Sequence, residues 1–306
     1  MRSILSGITI AVVTVIGWPS AQAAGQTSLD THCVNERFLP VPGGPFIEGS
    51  DRDEREVGYV ISGEGAARNA EDIPRITQRL RDRRWFEWEE PRGTASVEPL
   101  CLQRKPVTNA EYLAFVLDTG HRIPHISAAD YQQQGFLHHP YSRAQTYLWR
   151  DGQPPSGELD HPVVLVSYTD ALSYARWLGE RDGVRYRLPT RQEWEKAARG
   201  TDGRYFPWGD TWRDDATNWA QSGYRSSPVG GYEASRGPYG HDDMAGNVFE
   251  WTATLRQPEN AVARSVLKGC SWDDLPGFCR GAYQHTRPIH SRHILFGFRL
   301  AHDVRP

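Results

Sequence analysis

Residues 266–300 read VLKGCSWDDLPGFCRGAYQHTRPIHSRHILFGFRL, and this stretch decides the kind of fold the chain can have. Its apolar residues do not recur at helical spacing, and the longest apolar run, Ile294–Phe298, is short and holds a glycine. The pattern predicts irregular backbone that closes with a strand. Cys270 and Cys279 lie here among glycines, aromatics and arginines. A cysteine pair in such a loop is a redox site, a metal site or a disulfide, and the choice between them governs function.

The rest of the composition agrees with a loop-rich α+β globule. The 306 residues suit one large domain or two small ones. Eleven Trp, 13 Tyr and 10 Phe supply a core although mean hydropathy is only −0.62. A net charge of −3 does not point to nucleic acid. The basic run Arg79–Arg84 is answered by Glu87–Glu90 and reads as a solvated face. At the N-terminus, Arg2, the apolar run from Ile4 to Gly17 and Ala21-Gln22-Ala23 form a secretory signal over 1–23, cleaved after Ala23. The run is too short for a confident membrane span, so the mature chain is expected in the periplasm, not membrane-spanning. In that oxidising space four cysteines imply two disulfides. Three pairings are open, and Cys270–Cys279 with Cys33–Cys101 is preferred.

Along the chain, 24–37 reads as a disordered lead-in, and Phe38–Phe46 as strand, turn, strand. Residues 51–99 form a charged insertion. Within it only Ile73–Trp88 has an apolar pattern, with Ile76 and Leu80 on one short helix and Trp85–Trp88 as a docking edge. Three capping boxes announce helices, at Thr108–Glu111, Ser167–Asp170 and Thr190–Glu193. Their expected buried stripes are Tyr112, Phe115 and Val116; then Leu172, Ala175, Trp177 and Leu178; then Trp194, Ala197 and Ala198. Gly120–Asp160 is a long segment rich in His, Tyr, Gln and Pro, of the kind that needs metals or disulfides to hold it.

Several ordered motifs resemble the sulfatase-modifying-factor family, whose founding member is the formylglycine-generating enzyme. They are Val41-Pro42-Gly43-Gly44-Pro45-Phe46, similar to the family's first hairpin; Val107-Thr108-Asn109 with Tyr112; His161-Pro162-Val163 with Val166-Ser167-Tyr168-Thr169-Asp170-Ala171; Arg187-Leu188-Pro189-Thr190 with Glu193–Gly200; Pro207-Trp208-Gly209; Gly246-Asn247-Val248-Phe249-Glu250-Trp251; and Gly297-Phe298-Arg299-Leu300. The resemblance covers roughly residues 38–302 apart from the insertion. It implies the family's α+β fold, related to C-type lectins and poor in regular secondary structure, over 38–306.

The resemblance also implies calcium. Asp243 and Glu250 would ligate by side chain, Gly246 and Val248 by carbonyl, which suits an ion that prefers oxygen donors. A second site would begin at Asn218 and Trp219 and continue near Ser222 and Tyr224. The family's oxidase centre is a close pair of thiolates that holds copper(I). Set on that pattern, Asp274 stands where the first cysteine belongs and Cys279 falls on the second, so copper is not expected. Asp274, Cys279 and Arg280 are the candidate pocket residues, with Arg287 and Arg292 as further lining. His285, His290 and His293 with Cys279 are the competing metal set, broken by Pro288 and read instead as hydrogen-bonded loop histidines. Iron enzymes of the superfamily take ligands from an extra helical domain, for which this chain has no room. The expectation is a periplasmic calcium-binding regulatory module without the oxidase. It most resembles the TagR-type regulators of type VI secretion, and would bind the periplasmic part of a membrane kinase or an outer-membrane lipoprotein. The alternative is a PvdO-like oxidase in maturation of the siderophore pyoverdine; an active formylglycine generator is the third reading.

Overall fold

A computed structural model describes residues 33–135, 138–259 and 261–304. The secretory signal and most of the lead-in lie outside the described residues. Residues 33–37 of that lead-in are ordered turns, not disordered chain, because a disulfide ties Cys33 to Cys101. The other disulfide is Cys270–Cys279, so the pairing preferred from the sequence is the one formed. No described helix is long and apolar enough to cross a membrane.

Three small sheets form the β framework. Strands β1 (Phe38–Val41) and β2 (Gly44–Glu48) do not pair with each other, contrary to the hairpin expected there. β2 pairs antiparallel with β3 (Gly93–Val97), while β1 pairs with β4 (Leu100–Gln103). The connection at Gly43 passes so close to Pro99 that a Cβ there would lie 2.7 Å from the proline ring. The largest sheet carries β5 (Phe249–Arg256), β6 (Arg264–Lys268), β7 (Gln284–Pro288) and β8 (Phe296–Gly297) in the order β7-β6-β5-β8. β9 (Ala301–Asp303) completes the β1-β4 sheet. The strand expected over Ile294–Phe298 is thus only two residues long. β7 was hidden because its residues, QHTRP, are mostly half-buried at a sheet edge and lack alternation.

The helices follow their caps. The insertion supplies α1 (Arg52–Ala66) and α2 (Ile73–Asp82), and α3 (Asn109–Thr119) comes next. Short α4 (Ala128–Gln133) and α5 (Tyr141–Ala144) precede α6 (Tyr168–Asp182) and α7 (Arg191–Arg199). All three expected capping boxes form, and α3 ends at Gly120 in the left-handed conformation. In α6 the buried face is Ala171, Tyr174, Ala175, Trp177 and Leu178; Leu172, expected inside, is exposed. Helix α1 has no counterpart in the sequence reading. Its buried residues are Glu54, Gly58, Tyr59, Ser62 and Gly63, so its inner face is small and polar rather than apolar. Small side chains allow close approach: a Cβ on Gly63 would lie 1.9 Å from Thr77 Oγ1 of α2, and one on Gly58 would lie 2.7 Å from Arg280 Nε.

The reason for that face is a buried ion network. Arg280 binds Glu89 through Nη2 at 2.5 Å and Nη1 at 3.1 Å, and reaches Glu54 at 3.5 Å. Arg199 binds Glu54 at 3.0 Å and Glu195 at 3.1 Å, and Glu195 also takes Lys268 at 3.0 Å. All six side chains are 0–1% exposed, three acids against three bases. Charge so deeply desolvated persists only when paired and further hydrogen-bonded. The extra bonds are present: Arg199 also donates to the carbonyls of Gly49, Gly203 and Arg204, and Arg280 to that of Gly277.

Arg280→Met strands Glu89 and removes one of Glu54's partners. We expect a loss of about 3–5 kcal/mol in unfolding free energy by denaturant titration. Adding Glu89→Leu recovers part of the loss, because a non-additive pair is removed together. A single-variant loss below about 1 kcal/mol would refute the structural role of the network.

Candidate functional site

Strand β6 hands the chain to the loop 269–283. Gly269 turns at φ +79°, where an added Cβ would press on the Trp194 ring at 3.2 Å. Cys270 is buried, and its Sγ accepts the Gly246 N–H at 2.9 Å. Trp272 N–H donates to the Asn247 carbonyl at 2.9 Å. Asp274 accepts the Ser271 N–H at 2.9 Å and the Ser271 hydroxyl, which sets its carboxylate on a short turn. A 3₁₀ turn, Pro276–Cys279, then lies on α1, with Gly277 N–H donating to Ser62 Oγ at 2.9 Å.

This loop forms one wall of a cavity of about 380 Å³. Its apolar lining comes from Leu80, Trp85, Phe249, Leu275, Phe278 and Leu295, and its polar lining includes His138, Asp273, Asp274, Tyr283 and His285. Helix α2 and the segment after it therefore contribute directly to the site. The mix of apolar wall and convergent polar groups is that of a small-molecule pocket. His285 stacks on Phe249 at 5.3 Å and meets the Tyr283 hydroxyl at 3.1 Å through Nδ1. Burial, reinforced by the charge of Arg287, holds His285 well below its ordinary pKa, and burial raises Tyr283 well above its own.

The two adjacent carboxylates are driven apart. Burial pushes Asp274 up to about 6 against the Ser271 hydrogen bonds. For Asp273 burial also raises the carboxyl, but the imidazoles of His138 and His139, 2.8 and 3.1 Å from its Oδ2, outweigh it and bring the value down to about 2. At neutral pH the site therefore holds a firmly ionised Asp273 beside an Asp274 that takes up a proton about one unit lower.

The other candidates fall elsewhere. Cys279 is bonded to Cys270, and Arg280 is wholly enclosed by Glu89 and Glu54, so neither lines the cavity. Arg287 and His293 line a second cavity with Arg264, and Arg292 and His290 a third with Arg122. The set His285, His290, His293 and Cys279 is thus not assembled as a metal centre. In the calcium turn, Asp243 is buried and accepts the Gly230 N–H at 2.8 Å; burial raises its carboxyl to about 6, so a cation would relieve it. Glu250 does not match expectation. Arg299 holds it through Nε at 2.6 Å and Nη2 at 2.7 Å, and Trp194 Nε1 adds a bond at 3.0 Å. Its charge is already answered, so the expected ligand set is only partly available. The second site does not fit calcium. Asn218 Nδ2 donates to the Arg225 carbonyl, Ser222 Oγ accepts the Trp219 N–H and donates to the Thr217 carbonyl, Tyr224 is exposed, and residues 218–225 contain no carboxylate. What the sequence reading missed is Tyr283, His138 and His139. The adjacent histidines in the His-rich segment were the available signal.

Comparison with known proteins accords with this architecture. The family description "Sulfatase-modifying factor enzyme 1-like domain" matches residues 25–304. The chain is 32% identical over 237 residues to the formylglycine-generating enzyme of Mycobacterium tuberculosis, covering 62% of this chain and 75% of that one. It is 30% identical to the inactive C-alpha-formylglycine-generating enzyme 2 of Mus musculus, covering 79% and 76% respectively. Hercynine oxygenase of Mycolicibacterium smegmatis is 29% identical across 86% of this chain, which spans only 60% of that protein. PvdO from Pseudomonas aeruginosa shares the fold with a TM-score of 0.61, at 23% identity and with 87% of this chain and 94% of that one covered. The chain is a member of the sulfatase-modifying-factor family, which includes the formylglycine-generating enzymes.

Proposed function

We propose that this protein is an exported, periplasmic member of the family that works by binding rather than by thiolate–copper oxidation. The observation that carries the reading is the state of the sulfur at the site. Cys279 is bonded to Cys270, and from the loop that this disulfide closes the carboxylate of Asp274 lines the cavity. Copper(I) wants soft thiolates, and an oxygen donor beside a disulfide supplies none. The partner fitting this reading is protein: the periplasmic part of a membrane kinase, or an outer-membrane lipoprotein, in a TagR-type regulatory role promoting type VI secretion. Trp88, 77% exposed on the segment following α2, is the natural contact. The second reading is an oxidase of small molecules, as in siderophore maturation. It draws on the cavity's enclosed carboxylate, phenol and imidazole, Asp274, Tyr283 and His285. Calcium at the turn would be held by Asp243 with the carbonyls of Gly246 and Val248, Glu250 being shared with Arg299.

Incubated with copper and a cysteine-containing sulfatase peptide, the purified protein should give no formylglycine, and Cys279→Ser should leave that result unchanged. Turnover that disappears in Cys279→Ser would overturn the binding reading. Binding of the kinase's periplasmic part should weaken by about tenfold on Trp88→Ala, the loss of one aromatic contact.

Chelation should lower the melting temperature by a few degrees, on the order of 1 kcal/mol, with calcium restoring it and Asp243→Asn abolishing the response. An unchanged melting temperature at every chelator concentration would count against calcium.

Asp274 has a folded-state pKa above its unfolded value. The native protein therefore binds the extra proton between about pH 4 and 6, and ionisation costs stability as pH rises through that window. Asp274→Asn should remove that slope, so that the variant gains roughly 2–3 kcal/mol relative to the parent between pH 4 and pH 7.5. Parallel stability curves across that range would exclude the assignment.

A further inference from the structure

At the rim of the cavity three side chains converge that the binding reading does not use. His138 Nε2 lies 2.8 Å and His139 Nε2 3.1 Å from the same oxygen, Asp273 Oδ2. One ligating atom from each of the three residues lies within 4.8 Å of the others. Successive residues usually send their side chains apart, but here the chain between α4 and α5 turns both imidazoles onto one carboxylate. The His139 ring is held in place: it stacks on Trp272 at 5.3 Å, and its carbonyl accepts the Tyr131 hydroxyl at 2.9 Å. Asp273 is anchored through its N–H to Ser271 Oγ.

The bonding is incomplete in an informative way. His139 Nε2 is buried and stands at ion-pair distance from Asp273, yet makes no hydrogen bond of acceptable geometry. The nitrogen is directed beside the oxygen rather than at it. Metal ligation produces this arrangement. With metal–nitrogen and metal–oxygen distances near 2.0–2.2 Å, donors at right angles around one ion lie roughly 3.0 Å apart, and each lone pair points at the ion.

We propose that His138, His139 and Asp273 form a binding site for a divalent first-row transition-metal ion. Two imidazoles and one carboxylate suit zinc, iron or cobalt and are a poor set for calcium, so the site differs in kind from the Asp243 turn. Three protein ligands leave the ion open on one side. His138 is the exposed ligand, 62% accessible in its side chain. His138 and Asp273 line the cavity that holds Asp274, Tyr283 and His285, whereas His139 and Asp273 also line a neighbouring one with Arg143 and Trp272. The open positions therefore serve a small molecule with oxygen donors entering from either side. This inference does not depend on the regulatory reading and stands or falls separately.

The test is titration of the chelator-stripped full chain with Co²⁺ alone, followed by its visible d–d absorption and by calorimetry, with Zn²⁺ as competitor. One equivalent should bind, Zn²⁺ should displace it, and a large excess of Ca²⁺ should not. Asp273→Asn and His139→Ala should each weaken binding by roughly 100-fold or more, since even residues that merely orient a ligand contribute 10- to 100-fold. His138→Ala, at an exposed position that leaves the fold intact by circular dichroism, should do the same, while His121→Ala should not. Absence of a one-to-one complex would overturn the proposal, as would binding that survives His138→Ala and Asp273→Asn in folded protein.

Discussion

Burying six ionisable side chains in one contiguous network is the constraint around which this molecule is built. Arg280 and Arg199 reach the acids of three separate segments, Glu54 on α1, Glu89 after α2 and Glu195 on α7, and Glu195 brings in Lys268 from β6. No subset is stable when desolvated, because removing any one charge leaves another unmatched in a medium that cannot solvate it. The network therefore acts as a geometric lock: the charged insertion, the central helix and the disulfide loop must be in place together. It also explains why α7 is buried from Glu193 to Arg199 although its sequence is mostly polar. Trp194, Ala197 and Ala198 pack as apolar core, while its acid and arginine point into the lock.

The cavity follows from that lock. Helix α1 presents glycines and a serine to the Pro276–Cys279 turn, and Leu80, Arg83 and Trp85 then close the cavity from the insertion side. On the facing wall, the Cys270–Cys279 disulfide holds the loop that carries Asp273 and Asp274. Two neighbouring carboxylates acquire opposite behaviour because their surroundings differ. Asp274 meets only neutral Ser271 donors, whereas Asp273 faces two imidazoles. The polar groups that line this cavity are carboxylates, imidazoles and a phenol together with Arg83.

Much of the framework was legible locally. The capping boxes at Thr108, Ser167 and Thr190 are short-range signals, and each made its helix. The α3 and α7 stripes were legible because they are apolar and recur at helical spacing. Helix α1 was illegible for the opposite reason: apart from Tyr59 its inner face is Glu54, Gly58, Ser62 and Gly63, which hydropathy reads as surface. The two strands after Phe38 were foreseen, but not that each would find a different partner, since register depends on where Cys101 and Thr94 arrive. Among site residues, Asp274 was identified from its place in a motif. Arg280 was misjudged because an arginine in a glycine-rich loop looks the same whether it faces solvent or a buried Glu89.

By itself the sequence determined the family, the α+β class and the capped helices, because these rest on residue identity at short spacing. Only the tertiary structure decided which charges meet, which wall of the cavity the insertion forms, and that His138 and His139 share a carboxylate with Asp273. The pairs Arg280–Glu89, Arg199–Glu54 and His138–Asp273 join groups more than 100 residues apart, and such contacts are set by how the whole chain packs rather than by local pattern.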